Sequence, residues 1–166
     1  ELGGQWLAAS AGEDKRPFRT LTAGLVRRME KAGVDIRLNS APDKNAILSE
    51  KPDVVILATG AHARDLSGVD ILPSPEQNGI ARLFGIDVLR GARVPGRKAV
   101  VVGGRYIGME CAVRLAEQGY ETSLVEMNEI GRGVILRIRG IMFRRMMEAG
   151  VRLFPSSSVF RLTRHQ

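Results

Sequence analysis

A glycine-rich turn that follows an apolar run is the stretch of this chain whose residue types best suit chemistry. Residues 99–102 are the apolar run, which is typical of a strand buried on both faces of a parallel sheet. In such a turn the first glycine permits a tight bend, the second lets backbone approach a pyrophosphate, and the third lets a helix lie close to the strand. Gly103 and Gly108 take the first and third positions, with Gly104 between them, but Arg105 stands at the second. The fingerprint is therefore imperfect.

A helix, a second strand and an acid follow the turn. The helix is predicted from small and apolar residues at helical spacing: Ile107, Gly108, Cys111, Ala112, Leu115 and Ala116. Gly119 stands where a helix usually ends in a left-handed residue. Residues 122–125 read as a strand and lead directly into Glu126. The order strand, glycine turn, helix, strand and acid predicts a dinucleotide-binding βαβ unit.

Arg105 leaves two interpretations of this unit open. If the side chain points inward, it crowds a bound pyrophosphate, and Arg105→Gly should tighten the binding of NADH. If it points outward, its guanidinium can reach a phosphate oxygen.

Periodicity and glycine positions predict the other elements. Helices are expected from Pro17 to Gly33, within 43–50, within 80–89 and over 134–149. Strands are expected at 34–38, 53–57, 151–154 and 159–162, and residues 7–15 are expected to form a loop. Three helix-to-strand junctions pass through a glycine, at Gly33, Gly119 and Gly150. Repeated junctions of this kind predict an α/β fold, with Rossmann-like parallel sheets that carry helices on their faces.

The composition is basic, with 25 Lys and Arg against 18 Asp and Glu and a net charge of +7. Charge alone supports only non-specific binding of nucleic acid, and no nucleic-acid-binding motif accompanies it. We therefore expect no nucleic-acid partner. The densest basic cluster is interpreted as a solvated helix face, and it comprises Arg132, Arg137, Arg139, Arg144 and Arg145.

Metal, disulfide and membrane chemistry find little support in the sequence. The single cysteine, Cys111, excludes an internal disulfide and an iron–sulfur cluster held by this segment alone. His62 and His165 have no partners at metal-ligand spacing, so no metal site is expected. No apolar run approaches the roughly 20 residues of a membrane span, and the start shows no signal-peptide pattern. We expect a soluble, cytoplasmic protein.

Four motifs in this order give the chain a specific resemblance. They are Leu-Gly-Gly-Gln at 2–5, the helix end at 31–34, the run at 55–61 that includes Ala-Thr-Gly, and the βαβ unit at 98–126. Together they resemble the nucleotide-binding portion of 2,4-dienoyl-CoA reductase and enoate reductase-like flavoproteins. These belong with the NADH:flavin oxidoreductases, whose first half is an old-yellow-enzyme-type barrel.

The resemblance implies a domain organisation. Residues 1–65 would be part of an FAD-binding domain, 66–97 a connecting segment, and 98–166 part of an inserted NAD(P)H-binding domain. The first strand and glycine fingerprint of the FAD domain would precede Glu1, and the rest of both domains would follow Gln166. The barrel, with FMN and an iron–sulfur cluster, would be another missing partner of this segment. We therefore expect a chain truncated at both ends and inactive by itself.

The resemblance also implies a function and its residues. The parent would pass reducing equivalents from NADH to flavin, for reduction of an enoate or dienoyl-CoA-like substrate. Gly103, Gly104 and Gly108 would bind the pyrophosphate, because free N–H groups at a helix start favour an anion. Glu126 would hydrogen-bond the adenosine ribose diol and repel a 2′-phosphate, so NADH is preferred to NADPH. Arg132 could lie near enough to tolerate that phosphate.

A second set of residues matches positions that approach FAD in the family, namely Gly3, Gly4, Gln5, Thr59 and Gly60. Their alternative role is turn chemistry, in which glycine supplies a positive φ. For Glu126 the alternative is a solvated charge at a strand end. The alternative for the whole chain is a degenerate dinucleotide fold with a structural or electron-transfer role, as in trimethylamine dehydrogenase-like relatives. Arg105 favours that alternative, whereas Gly103, Gly108 and Glu126 favour a working NADH site.

Overall fold

The computed structural model describes residues 2–11, 15–63, 70–71 and 79–162. The chain divides into two compact units, residues 1–62 and residues 63–166. Among the described residues, no helix combines the length and the apolar character that crossing a membrane requires.

The described residues of the first unit form three helices: α1 (Gly4–Ala9), α2 (Arg16–Lys31) and α3 (Lys44–Ser49). Proline in the first turn of α2 and a left-handed Gly33 after its end confirm the predicted helix boundaries. Trp6 of α1 packs edge-to-face on Phe18 of α2, with 5.2 Å between the ring centroids. The prediction of a loop at 7–15 is wrong at its start, because α1 continues to residue 9 and buries Ala8.

The two strands predicted in the first unit, 34–38 and 53–57, are not formed. A strand is held by hydrogen bonds to a neighbouring strand, and no strand pairing forms among the described residues of this unit. No other described element covers the second segment, where Val54, Ile56 and Leu57 are 76%, 83% and 82% exposed. The prediction of a buried strand at 53–57 is therefore wrong for this structure.

The second unit contains the predicted βαβ unit. Strand β1 (Asp70–Ile71) and helix α4 (Gly85–Leu89) come first. They are followed by β2 (Lys98–Val102), α5 (Tyr106–Glu117), β3 (Glu121–Val125), α6 (Leu136–Glu148), β4 (Arg152–Phe154) and β5 (Arg161–Leu162). Strands β2, β3 and β4 form a parallel sheet in that order, and β1 pairs in parallel with β5. The predicted α/β class with parallel strands is confirmed.

The main core lies between the sheet, α5 and α6. Its buried members are Met109, Ala112, Val113, Leu124, Ile130, Val134, Met142, Met146 and Val151. A smaller cluster joins α4 to α5 through Val88, Leu89, Cys111 and Leu115, so the predicted burial of the single cysteine is confirmed. Burial raises the pKa of the Cys111 thiol to about 11, which leaves it a neutral, inert group.

Strand β2 is less enclosed than its sequence predicts. Ala99 and Val101 pack against the helices, but Val100 and Val102 are 59% and 41% exposed. The two exposed valines belong to neither core cluster, because successive residues of a strand point to opposite faces. The prediction of burial on both faces is therefore wrong, since the helices cover one face of this strand.

Candidate functional site

The turn after β2 is fixed to the end of β3. The parallel register places Val102 opposite Val125, so the carboxyl ends of the two strands meet at one edge of the sheet. The Gly103 N–H donates to the carbonyl oxygen of Val125 at 2.8 Å. Gly103 has a φ of 105°, which only glycine adopts at low cost. The first glycine therefore makes the tight bend that aims the chain into α5.

Gly104 is required for a different reason, because a side chain at this position would not fit. A Cβ atom on this residue would lie 2.8 Å from Cβ of Glu126 and 3.1 Å from its Cγ. The missing side chain lets the Gly104 N–H donate to Oε2 of Glu126 at 2.6 Å. The turn and the acid are thus in direct contact, although they are far apart in sequence.

Gly108 allows α5 to lie against the turn. A Cβ atom here would overlap the carbonyl oxygen of Gly103 and lie 2.8 Å from its carbonyl carbon. Any larger residue would push the first turn of the helix away from the strand. The helix start, where backbone N–H groups favour an anion, is therefore held at the edge of the sheet.

Glu126 is held as a carboxylate by the backbone around it. Its Oε1 accepts from the Asn128 N–H at 2.8 Å, while Oε2 accepts from Gly104. Burial by itself would raise the pKa of Glu126, but the hydrogen bonds from Gly104 and Asn128 and the charge of Arg105 outweigh it and lower that pKa. Each carboxylate oxygen offers two acceptor sites, so Glu126 can still accept from hydroxyl groups of a ligand.

Arg105 reaches across to the loop after β3. Its Nη2 atom lies 2.9 Å from the position that a Cβ of Gly133 would occupy. Together they line a cleft of about 330 Å³ with Glu126, Asn128 and Arg132. The guanidinium thus lies in the cleft beside the acid, and both interpretations of Arg105 stay predictions.

The loop after β3 supplies residues that sequence reasoning did not single out. The Gly131 N–H donates to the carbonyl oxygen of Gly104 at 2.7 Å, and the Ile135 N–H donates to the Tyr106 hydroxyl at 3.0 Å. The two glycines at 131 and 133, close behind the acid, were the available signal for a tight loop that returns to the turn. These bonds shape the cleft around Glu126.

In the first unit, Gln5 links the start of α1 to the segment that follows Gly60. Its side-chain amide donates to the carbonyl oxygen of Ala61. Positive φ angles at Gly3, Gly4 and Gly60 are also what ordinary turn chemistry requires. Binding of FAD by these residues stays a prediction.

The described residues contain no group of His, Cys, Asp and Glu side chains arranged to hold a metal ion. His62 is exposed, and His165 lies outside the described residues.

Several known proteins are similar to this chain in sequence. The pyridine nucleotide-disulphide oxidoreductase family matches residues 48–166. The chain is 33% identical to bilirubin reductase of Mediterraneibacter gnavus over 98% of its own length and 24% of the relative. It is 34% identical to cinnamate reductase of Clostridium sporogenes over 76% of its length and 18% of the relative. It is 33% identical to NADH oxidase of Thermoanaerobacter brockii over 76% of its length and 19% of the relative.

A solved structure of 2-naphthoyl-CoA reductase in complex with 2-naphthoyl-CoA shares the fold. Its TM-score is 0.77 at 21% identity, over 95% of this chain and 23% of that protein. The chain thus spans about a quarter or less of the length of each relative named here.

Proposed function

Because the chain belongs to the pyridine nucleotide-disulphide oxidoreductase family, we propose that its second unit docks NADH for a flavin-dependent oxidoreductase. The resemblance to enoate reductase-like flavoproteins is confirmed by the relatives and by the shared fold. The observation that carries the proposal is the direct contact between the glycine turn and Glu126 at the start of α5. This contact places a helix start, which favours an anion, beside an ionised acceptor. A dinucleotide needs both, because it carries a pyrophosphate and ribose hydroxyl groups.

The residues of the turn fit a dinucleotide. Gly104 and Gly108 have no room for side chains, so the turn packs closely against Glu126 and the start of α5. There the N–H groups of the first turn of α5 would hold the pyrophosphate. Glu126 would accept from the ribose hydroxyls, and by itself it favours the unphosphorylated ribose of NADH. When bound, the nucleotide supplies a hydride for the flavin.

The first unit is proposed to contact FAD through Gly3, Gly4, Gln5, Thr59 and Gly60. The bond from Gln5 to Ala61 supports this, since it links the start of α1, which follows Gly3, to the residue that follows Gly60. We assign residues 1–65 to an FAD-binding domain and 98–166 to an NAD(P)H-binding domain, with 66–97 connecting them. A longer polypeptide of this kind would reduce an unsaturated substrate of the enoate or dienoyl-CoA type.

Glu126→Gln tests the proposed role of the acid. We expect NADH to bind about tenfold more weakly, because a hydrogen bond to a charged group is worth about 1.5–3 kcal/mol. Isothermal titration calorimetry of the chain with NADH measures this, and thermal unfolding establishes that the variant is folded. Glu148→Ala is the matched control, since it removes an exposed carboxylate at the end of α6. Equal NADH affinity in Glu126→Gln and the unmodified chain would refute the assignment.

The second candidate function is a dinucleotide fold that no longer binds NADH and has a structural or electron-transfer role. Arg105 at the second glycine position is the observation that favours it. A folded chain that binds neither NADH nor NADPH would support this candidate against the first.

A further inference from the structure

The face of α6 that points away from the core carries large apolar side chains. Met142 and Met146 are the buried residues of this helix and face the core. On the opposite side, Leu136 and Met147 are 81% and 66% exposed, and Ile141 is exposed as well. Apolar side chains that are grouped on one exposed surface mark a place where another molecule binds.

Three charged residues share this outward face, namely Arg137, Arg144 and Glu148, and all three are exposed. Within the part of the chain that the structure describes, their side chains form no ion pair and no hydrogen bond. The other two arginines of the helix are paired with glutamates. The outward face therefore presents charges of both signs that are available to a partner.

Gly140 lies in the middle of this face, one helical turn from both Arg137 and Arg144. Nothing lies within 4 Å of the position that a Cβ of Gly140 would occupy, so packing against the described residues does not require a glycine here. Glycine also destabilises a helix relative to alanine. What the missing side chain provides is a notch between the two arginines, through which a second backbone can approach closely.

The spacing of these residues fits a second copy of the same helix. Leu136 and Met147 are eleven residues apart, and so are Arg137 and Glu148. Eleven residues make three turns of an α-helix, so the members of each pair lie on one line along the face, roughly 16 Å apart. When two such helices run antiparallel, Arg137 of each copy faces Glu148 of the other. Leu136 of each copy likewise faces Met147 of the other.

We propose that the outward face of α6 is the contact surface of a homodimer, in which two copies of the helix pack antiparallel across Gly140. The interface is isologous, because both copies use the same patch. It contains two Arg137–Glu148 ion pairs, and the stem of Arg144 in each copy lies over Gly140 of the other. None of these residues lines the cleft beside Glu126, so the contact is separate from the proposed nucleotide site.

The dimer is expected to be weak. One helix face is small beside the roughly 800 Å² per partner that a stable interface buries. The two copies also repel each other through a net charge of +7 each. We therefore expect a Kd of about 100 µM in about 0.15 M salt, which screens that repulsion.

Sedimentation equilibrium of the full chain between about 10 µM and about 1 mM measures this Kd. Arg137→Glu and Glu148→Arg each place like charges opposite one another, and each should weaken the dimer about tenfold or more. The double variant that exchanges the two charges restores both ion pairs, so its Kd should return to within about threefold of the original. Arg97→Glu, at an exposed arginine outside α6, is the matched control for net charge and should not weaken the dimer.

Gly140→Gln separates the role of this glycine in association from its effect on the helix. The variant should unfold at a higher temperature, because glutamine is the better helix former, and yet dimerise about tenfold more weakly, because its side chain fills the notch. A chain that stays monomeric at every concentration overturns the inference. A dimer whose Kd the α6 variants leave unaltered overturns it too, since the contact then lies elsewhere. Failure of the charge exchange to restore the dimer rules out the antiparallel pairing.

Discussion

At the scale of single residues, Glu126 both stabilises the glycine turn and is the candidate acceptor for the ribose of a nucleotide. The backbone N–H groups of Gly104 and Asn128 donate to its carboxylate, and its pKa is lowered as a result. The same two bonds hold the turn and the loop after β3 around the cleft. An ionised Glu126 is therefore both a structural acceptor and the candidate ribose acceptor.

The lowered pKa predicts a pH dependence of stability. In the unfolded chain this carboxyl titrates near its ordinary pKa of about 4.3, which lies above its pKa in the folded chain. The stabilisation is thus complete above pH 4.3 and is lost as the pH falls through the folded pKa. Glu126→Gln should lose less stability than the unmodified chain between pH 7 and pH 3.5, as measured by urea unfolding. A parallel loss in both proteins would contradict this account.

Arg105 shows why one residue of the site could not be interpreted from sequence. The pattern established only that it stands at a glycine position, and both directions of the side chain were compatible with that. Its direction is set by Gly133, which is distant in sequence and opens the space that the guanidinium fills. No local pattern contains that information.

At the scale of elements, the strands predicted in the second unit are confirmed, whereas the two strands predicted in the first unit are not formed. The unit of β2, α5 and β3 was predictable because helix periodicity, glycine positions and strand runs lie within a single short stretch. The segments 34–38 and 53–57 have strand-like sequences but no described neighbour in their unit. An alternating apolar pattern indicates that a segment is able to form a strand. The strand forms only where a neighbouring strand is available to pair with it.

The packing of α5 on the turn gives a prediction at this scale. Gly108→Ala should lower the free energy of unfolding of the second unit by about 3 kcal/mol, at the upper end of overpacking costs, because the added methyl overlaps backbone atoms of Gly103. Gly140→Ala is the matched control, since nothing lies within 4 Å of a Cβ at that helical position. It should stabilise α6 by about 0.5–1 kcal/mol. Chemical denaturation of both variants measures the difference, and equal stabilities would refute the packing argument.

At the scale of the whole molecule, the two units carry two separate groups of candidate cofactor residues. Among its described residues the second unit has a buried core, a turn fixed by hydrogen bonds and a charged cleft, so its proposed function can be tested on this chain. In the first unit one hydrogen bond, from Gln5 to Ala61, links the two segments that contain the candidate residues, and the apolar run at 54–57 is exposed. Two of the chain's many basic residues, Arg105 and Arg132, line the cleft beside Glu126.

Whether the turn and the loop after β3 bind NADH is best decided by amide chemical shifts measured by NMR during an NADH titration. We expect saturable shifts that are largest at residues 103–108 and 126–133, with those of α6 beyond Leu136 nearly unchanged. Saturable shifts centred elsewhere, or no shifts from a folded chain at millimolar NADH, would contradict it.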